Sequence, residues 1–290
     1  MRTLIITLIL SVSLTACSSI GSNKSSKAES GSSAAQLYSK AKRNLDKKNY
    51  ESAATTLETL EARYPFTPES VQGQLDSIFA NYELGETDRV IKTAVDFISR
   101  NPQHPKADYA YYMIGLARFN QGKSALDRYL PTDLSKRDLG IAKTAFKDFA
   151  ALIRVFPNSS YSADAKQRMI YLRNIMARYE INVANYYFKR EAYLAAANRG
   201  KYVVEHFPKT PAIADALAVM TQAYNLLGMK QESNAAFAVL KSNFPKHPSI
   251  GKNGSFKLQL TQDQVQGGFI SRIIGTPRAP QFDNRSKHER

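Results

Sequence analysis

The chain has 290 residues, of which 43 % are hydrophobic, and it carries a formal charge of +15. That apolar fraction supplies a continuous core and excludes wholesale disorder, and the length allows one large domain or two ordinary ones. A single cysteine, Cys17, excludes internal disulfides and zinc sites of CxxC spacing.

The positive charge is scattered through stretches such as AKRNLDKK and FKREAYLAAANRGK, without the basic block or the motifs of a nucleic-acid binder. It suits acidic protein surfaces or anionic lipid. At the N-terminus, Met1 and Arg2 form a short positive region, and Leu4 to Leu14 is a run of apolar and hydroxyl residues. At about 1.5 Å per helical residue, the run covers roughly half the hydrocarbon thickness of a bilayer. It reads as the hydrophobic region of a signal peptide. The run ends in Leu14-Thr15-Ala16-Cys17, a branched residue, two small residues and a cysteine, which is the pattern of a bacterial lipobox. This predicts a signal peptide over residues 1–16 and a diacylglyceryl group on the sulfur of Cys17, with an N-acyl chain on the exposed amine. Buried acyl chains contribute about 0.8 kcal/mol per methylene, enough together to anchor a protein. Ser18 stands where aspartate would favour retention in the inner membrane, so the expected location is the periplasmic face of the outer membrane of a Gram-negative bacterium. From Ser18 to Ser33 the chain reads SSIGSNKSSKAESGSS. A coil of this composition reaches roughly 20–24 Å, and residues 17–34 are expected to form a lipidated tether.

Beyond Ala34 the sequence is helical in pattern and repeats. An aromatic or asparagine followed by proline closes each unit: Tyr64-Pro65, Asn101-Pro102, Phe156-Pro157, Phe207-Pro208 and Phe244-Pro245. Five positions before each proline stands Leu60, Phe97, Leu152, Val203 or Leu240; twelve before it stands Ala53, Val90, Ala145, Ala196 or Ser233. Small or compact residues there let two helices approach closely. Asp108, Asp164 and Asp215 fall where the first turn of the next helix begins, complementing its dipole. Helix pairs closed by proline with small residues at the contact are tetratricopeptide (TPR) repeats. The pattern predicts an all-α, TPR-type solenoid of about five helix pairs over residues 35–249. The third unit carries a long loop ending near residue 139. The fourth opens with an uninterrupted helix from about Tyr161 to Arg190, a stretch with neither Gly nor Pro. Residues 250–290 form a tail, expected to be partly disordered, in which GGFISRIIG is the one segment suited to a short amphipathic helix or strand.

The four histidines, His104, His206, His247 and His288, lie at no metal or triad spacing, and the first three read as turn and capping residues. There is no HExxH, GxSxG or P-loop sequence, so neither an enzyme nor a metal site is expected. A protein-binding role remains, and 16 tyrosines with no tryptophan supply rigid aromatic faces for it.

Several segments resemble the BamD family, TPR lipoproteins of the outer-membrane β-barrel assembly machinery. They are YPFTPESVQGQLDSIFANYELGE, NPQHPKADYAYYMIGLARFNQ and the long run from RDLGIAKTAF to AANR, with its idiosyncratic FPNSSYSADA, ARYE and VANYY. The resemblance covers about Ala35 to Pro245. It implies a non-enzymatic scaffold that docks a periplasmic POTRA domain of a BamA-type insertase, joins other lipoproteins of the complex and receives unfolded outer-membrane proteins. Carried onto matching positions, it assigns insertase docking to Tyr179, Tyr186, Tyr187, Arg190 and Arg199, and the substrate's C-terminal aromatic signal to Tyr64, Phe66 and Gln74. Two departures stand out. Thr67 replaces a glycine frequent after YPF, which predicts a different turn, and Leu134 and Lys136 alter the charge of a loop that keeps Asp133, Ser135, Arg137 and Asp138. The alternative reading is another periplasmic TPR scaffold, one organising cell-wall or envelope-division proteins.

Overall fold

The structure, a computed structural model, describes residues 31–121, 135 and 139–257. Cys17, most of the long loop and the GGFISRIIG segment lie outside the described residues. Ten helices occur among the described residues: α1 (Ala34–Asp46), α2 (Tyr50–Arg63), α3 (Pro68–Glu83), α4 (Thr87–Arg100), α5 (Ala107–Gln121), α6 (Gly140–Val155), α7 (Ser162–Lys189), α8 (Tyr193–His206), α9 (Ala212–Leu226) and α10 (Lys230–Asn243). They succeed one another as five pairs of TPR type, and α7 is the uninterrupted fourth-unit helix the sequence predicts. The chain divides into two compact units, Met1–Ala80 and Asn81–Arg290.

In the first unit, α1 begins with a reciprocal cap. The Gln36 backbone N–H donates to the Ser33 hydroxyl, and the Ser33 N–H donates to the Gln36 side chain. The four-residue spacing of Leu37, Ala41 and Leu45 buries one face of α1, and Leu37 and Ala41 cluster with Leu57 and Leu60 of α2. Asp76, almost fully buried, accepts hydrogen bonds from Tyr38 (3.1 Å) and Gln72 (3.2 Å). Burial and the neighbouring Asp76 hold the Tyr38 phenol well above its ordinary pKa. In the second unit, α4 packs on α5, α5 on α6, α6 on α7, α7 on α8 and α9, α8 on α9, and α9 on α10.

The second helix of every pair obeys one rule. Leu60, Phe97, Leu152, Val203 and Leu240, five before each proline, are all 0 % exposed. The small positions twelve before it, Ala53, Val90, Ala145, Ala196 and Ser233, are also buried, and Ser233 offsets its polarity by donating to the Thr221 carbonyl (2.8 Å). The residue before each proline caps the helix, leaves the helical region (φ −122 to −134°, ψ 46 to 68°) and returns its N–H to the carbonyl four positions back. Two residues after each proline a polar side chain closes the turn. Thr67 and Thr210 donate to the carbonyls of Tyr64 and Phe207. The Nδ1 of His104 accepts from the Lys106 N–H, and that of His247 from Ser249. Thr67 and Thr210 thus close their turns with the same hydroxyl-to-carbonyl bond, although Lys209 before Thr210 is left-handed and Phe66 before Thr67 is not.

Within the second unit two glycines mark close approach. A Cβ on Gly115 of α5 would stand 2.7 Å from the Phe149 ring, and one on Gly200 of α8 would stand 2.8 Å from the Ala216 carbonyl oxygen. The link inside a pair needs a left-handed residue, and Gly85 and Gly228 supply it in two units, Lys48 and Glu191 in two others. Non-glycine residues there cost about 1–2 kcal/mol. Lys48→Gly is expected to raise stability by about 0.5–1 kcal/mol, after the greater freedom of glycine in the unfolded chain is allowed for, in equilibrium denaturation. Gly200→Ala, pressed against the fixed backbone of α9, is expected to lower it by about 1–3 kcal/mol in the same measurement.

Candidate partner-docking site

Helix α7 runs 28 residues because nothing breaks it, with Asp164 in its first turn and Lys189 in its last favouring the dipole at each end. Its inner stripe, including Ala165, Arg168, Leu172, Met176, Glu180, Ile181, Ala184 and Phe188, is buried at helical spacing. Tyr179, Tyr186 and Arg190 recur at intervals of seven and four on another face. Tyr179 is half-buried, whereas Tyr186 is 48 % exposed. Arg190 caps the helix and lays its guanidinium 4.7 Å from the centre of the Tyr186 ring. Tyr187 meets Tyr186 edge-on at 5.9 Å and packs its other side on Ala184, Phe188, Ala196, Ala197 and Val219. From α8, Arg199 reaches to 5.9 Å from the Tyr187 ring centre and donates through Nη1 to the carboxylate of Glu180 at 3.0 Å. Burial acts to lower the Arg199 pKa, but its bonds to Tyr187 and Glu180 outweigh that and raise it.

Four of the five predicted docking residues thus form one cluster: two tyrosine rings, each with a guanidinium beside it. Leu194, 55 % exposed at the start of α8, lies a short turn beyond Arg190. Arginine on an aromatic face keeps its fork available to carboxylates, and the rings offer apolar area with little entropy to lose. Glu180 was not legible as part of the site, because nineteen residues separate it from Arg199.

The three residues assigned to a substrate signal lie in the first unit and differ in setting. Phe66 is 95 % exposed at the tip of the turn. Tyr64 is half-buried against the cluster of Leu37, Ala41, Leu57 and Leu60, and its hydroxyl donates to the Ser32 carbonyl at 2.9 Å. Gln74 is buried, and its amide donates to Glu61 at 2.6 Å. Phe66 offers an open aromatic face, while Gln74 is engaged within the fold. Of the loop residues, Asp133, Leu134, Lys136, Arg137 and Asp138 lie outside the described residues. Ser135 is buried, accepting two bonds from the Asn182 side chain of α7.

Sequence reading also missed what the repeated aspartates do. Asp108 accepts from the Ser159 hydroxyl (2.6 Å), Asp164 from Tyr112 (2.7 Å) and Arg168 (2.6 Å), and Asp215 from Arg178 (2.8 Å), with the His247 ring 3.1 Å away. Each first-turn carboxylate ties its helix to another element of the second unit. A cleft of about 420 Å³, lined by Tyr82, Glu86, Asp88, Val90 and Asn120 among others, opens nearby in sequence, and Asn120 donates to the Tyr82 hydroxyl across 2.6 Å. Burial pushes the Tyr82 phenol up to about 12. No described helix is long and apolar enough to cross a membrane.

Fold and site together define a TPR-type helical-repeat protein with a cationic, aromatic surface cluster. Among solved structures, a kinesin light chain with TPR-like repeats from Podosopora anserina aligns over 71 % of this chain and 92 % of its own, with 11 % identity and a TM-score of 0.34. The family described as YfiO, outer membrane lipoprotein, matches residues 30–240. The outer membrane protein assembly factor BamD of Neisseria meningitidis serogroup A is 37 % identical over 251 residues, 86 % of this chain and 94 % of the relative. That of Xylella fastidiosa strain Temecula1 is 37 % identical over 221 residues, 76 % of this chain and 75 % of the relative. By the family match and by these identities, the chain belongs to the YfiO/BamD family.

The two arginines of the cluster are expected to differ in stability. Arg199→Ala strands the buried Glu180 carboxylate and should cost about 2 kcal/mol in urea denaturation, its half-open setting moderating the usual penalty of a broken buried pair. Arg190→Ala, at an exposed cap, should cost under about 0.5 kcal/mol.

Proposed function

We propose that the protein is the lipid-anchored scaffold subunit of an outer-membrane β-barrel assembly machine. In this reading Cys17 carries the diacylglycerol and N-acyl chains, and the body stands in the periplasm beneath the outer membrane. It binds, without catalysis, a POTRA domain of a BamA-type insertase through the α7–α8 cluster, joins companion lipoproteins of that complex, and receives unfolded outer-membrane proteins through the first unit. The observation that carries the reading is the cluster of Tyr186, Tyr187, Arg190 and Arg199, which places four family-matched residues of two helices together. Its chemistry fits a partner presenting carboxylates beside an extended backbone. Phe66 supports the substrate half of the reading: an aromatic ring so exposed at a rigid proline turn can stack on a terminal aromatic residue.

The test is capture from detergent-solubilised envelopes with identification of what co-purifies. The insertase is expected with the unaltered protein, and Tyr186→Ala combined with Arg190→Glu should reduce its recovery about tenfold while helicity stays unchanged. Recovery of cell-wall enzymes in place of the insertase overturns the assignment. Phe66→Ala should weaken crosslinking to a peptide ending in an aromatic residue; equal crosslinking removes the turn from the substrate site.

A further inference from the structure

The docking cluster rests on a residue that presents nothing to a partner. Glu180 lies on the inner stripe of α7 with its side chain 8 % exposed, two turns before Tyr187 on the same side of the helix. A buried carboxylate requires a fixed, charged partner, and among the described residues Arg199 is the cation that bonds it. Arg199 is committed at Nη1 while its side chain remains 41 % exposed, so a partly open side chain has its orientation set from within. The same guanidinium sits beside Tyr187, and Tyr187 in turn contacts Tyr186. A lysine could not reproduce this, having one point of charge and no plane.

We propose that Glu180 is the positioning residue of the docking surface, holding the Arg199 fork and, through it, Tyr187 in the geometry a partner meets. The inference rests on the α7–α8 cluster being the docking surface, and it specifies that the surface is set before the partner arrives. Glu180 acts only through Arg199 and makes no contact with the partner.

The absence of tryptophan gives a clean reporter. In a Tyr187→Trp background, the exposure of the single indole is read by acrylamide quenching of the free full-length protein. Affinity for a purified POTRA fragment of the insertase is measured in parallel with the natural tyrosine. Glu180→Ala is expected to raise the quenching constant about twofold and weaken POTRA binding about tenfold. Glu180→Gln, which keeps shape and an acceptor but not charge, should fall between. Arg199→Ala should give the quenching of Glu180→Ala, and the double variant should add nothing further, as two residues acting as one unit require. Arg199→Lys, retaining charge without the fork, should fail to restore either readout. Unchanged quenching in Glu180→Ala, or additive effects in the double variant, overturns the proposal, and far-UV circular dichroism separates both from unfolding. If the POTRA fragment does not bind the unaltered protein, the docking assignment falls, and the quenching cycle alone still decides whether Glu180 positions Tyr187.

Discussion

Proline can neither donate a backbone hydrogen bond nor leave the residue before it in the helical region, and the repeat is built on that restriction. At five positions it stops a helix at the same register. The last N–H returns to a carbonyl four residues back, and the capping residue leaves the helical region. Because the stop is fixed, so is what lies one and three turns earlier. Those are the fully buried residue of the last turn and the small residue at the helix contact, from Leu60 and Ala53 in the first pair to Leu240 and Ser233 in the last. The polar residue after the proline then closes the turn with whatever chemistry it has, threonine hydroxyl or histidine ring. Thr67 closes its turn with its own hydroxyl, at the position where the resembled family frequently has a glycine.

Features of this local kind were legible from sequence. Helix order, the long α7, the closing turns and the buried positions follow from residues within about one helix of each other, where spacing and structure are tied by the 3.6-residue turn. The left-handed links were half legible: Gly85 and Gly228 announce them, while Lys48 and Glu191 adopt the same backbone without a glycine to mark it. What escaped was pairing at long separation. Asp108, Asp164 and Asp215 read as dipole complements, which their first-turn positions satisfy, yet each also has a hydrogen-bond partner 32 to 52 residues away. Nothing in a linear pattern selects Ser159, Tyr112 or His247 as those partners. The assignment of Gln74 shows the same limit, since the proximity of Glu61 emerges only when α2 and α3 fold together within the first unit.

Burial divides the candidate site into two roles that sequence had merged. Tyr186 and Arg190 lie outward, and their ring and guanidinium touch mainly each other. Tyr187 and Arg199 are half-buried and engaged on both sides, with the α7–α9 core behind the ring and Glu180 behind the guanidinium. A partner docking at this candidate site would meet an outer half that is more exposed and an inner half held from behind. Ordering side chains before contact spares the entropy that binding would otherwise cost, so an interface with this layout can be tight without being large.

Helix α7 has a mechanical consequence. Twenty-eight residues at about 1.5 Å each make a rod of roughly 42 Å. With no glycine or proline in it, the rod has none of the usual points of sharp bending. One end carries Tyr186 and Arg190; the other carries Asp164 and Arg168, bonded to Tyr112 and lying against Phe119 of α5. A load applied at the tyrosine end is not absorbed by a hinge along the way. The far end is tied to α5 by the partly buried Asp164–Tyr112 hydrogen bond and by the Arg168 guanidinium over Phe119, and these contacts would feel such a load.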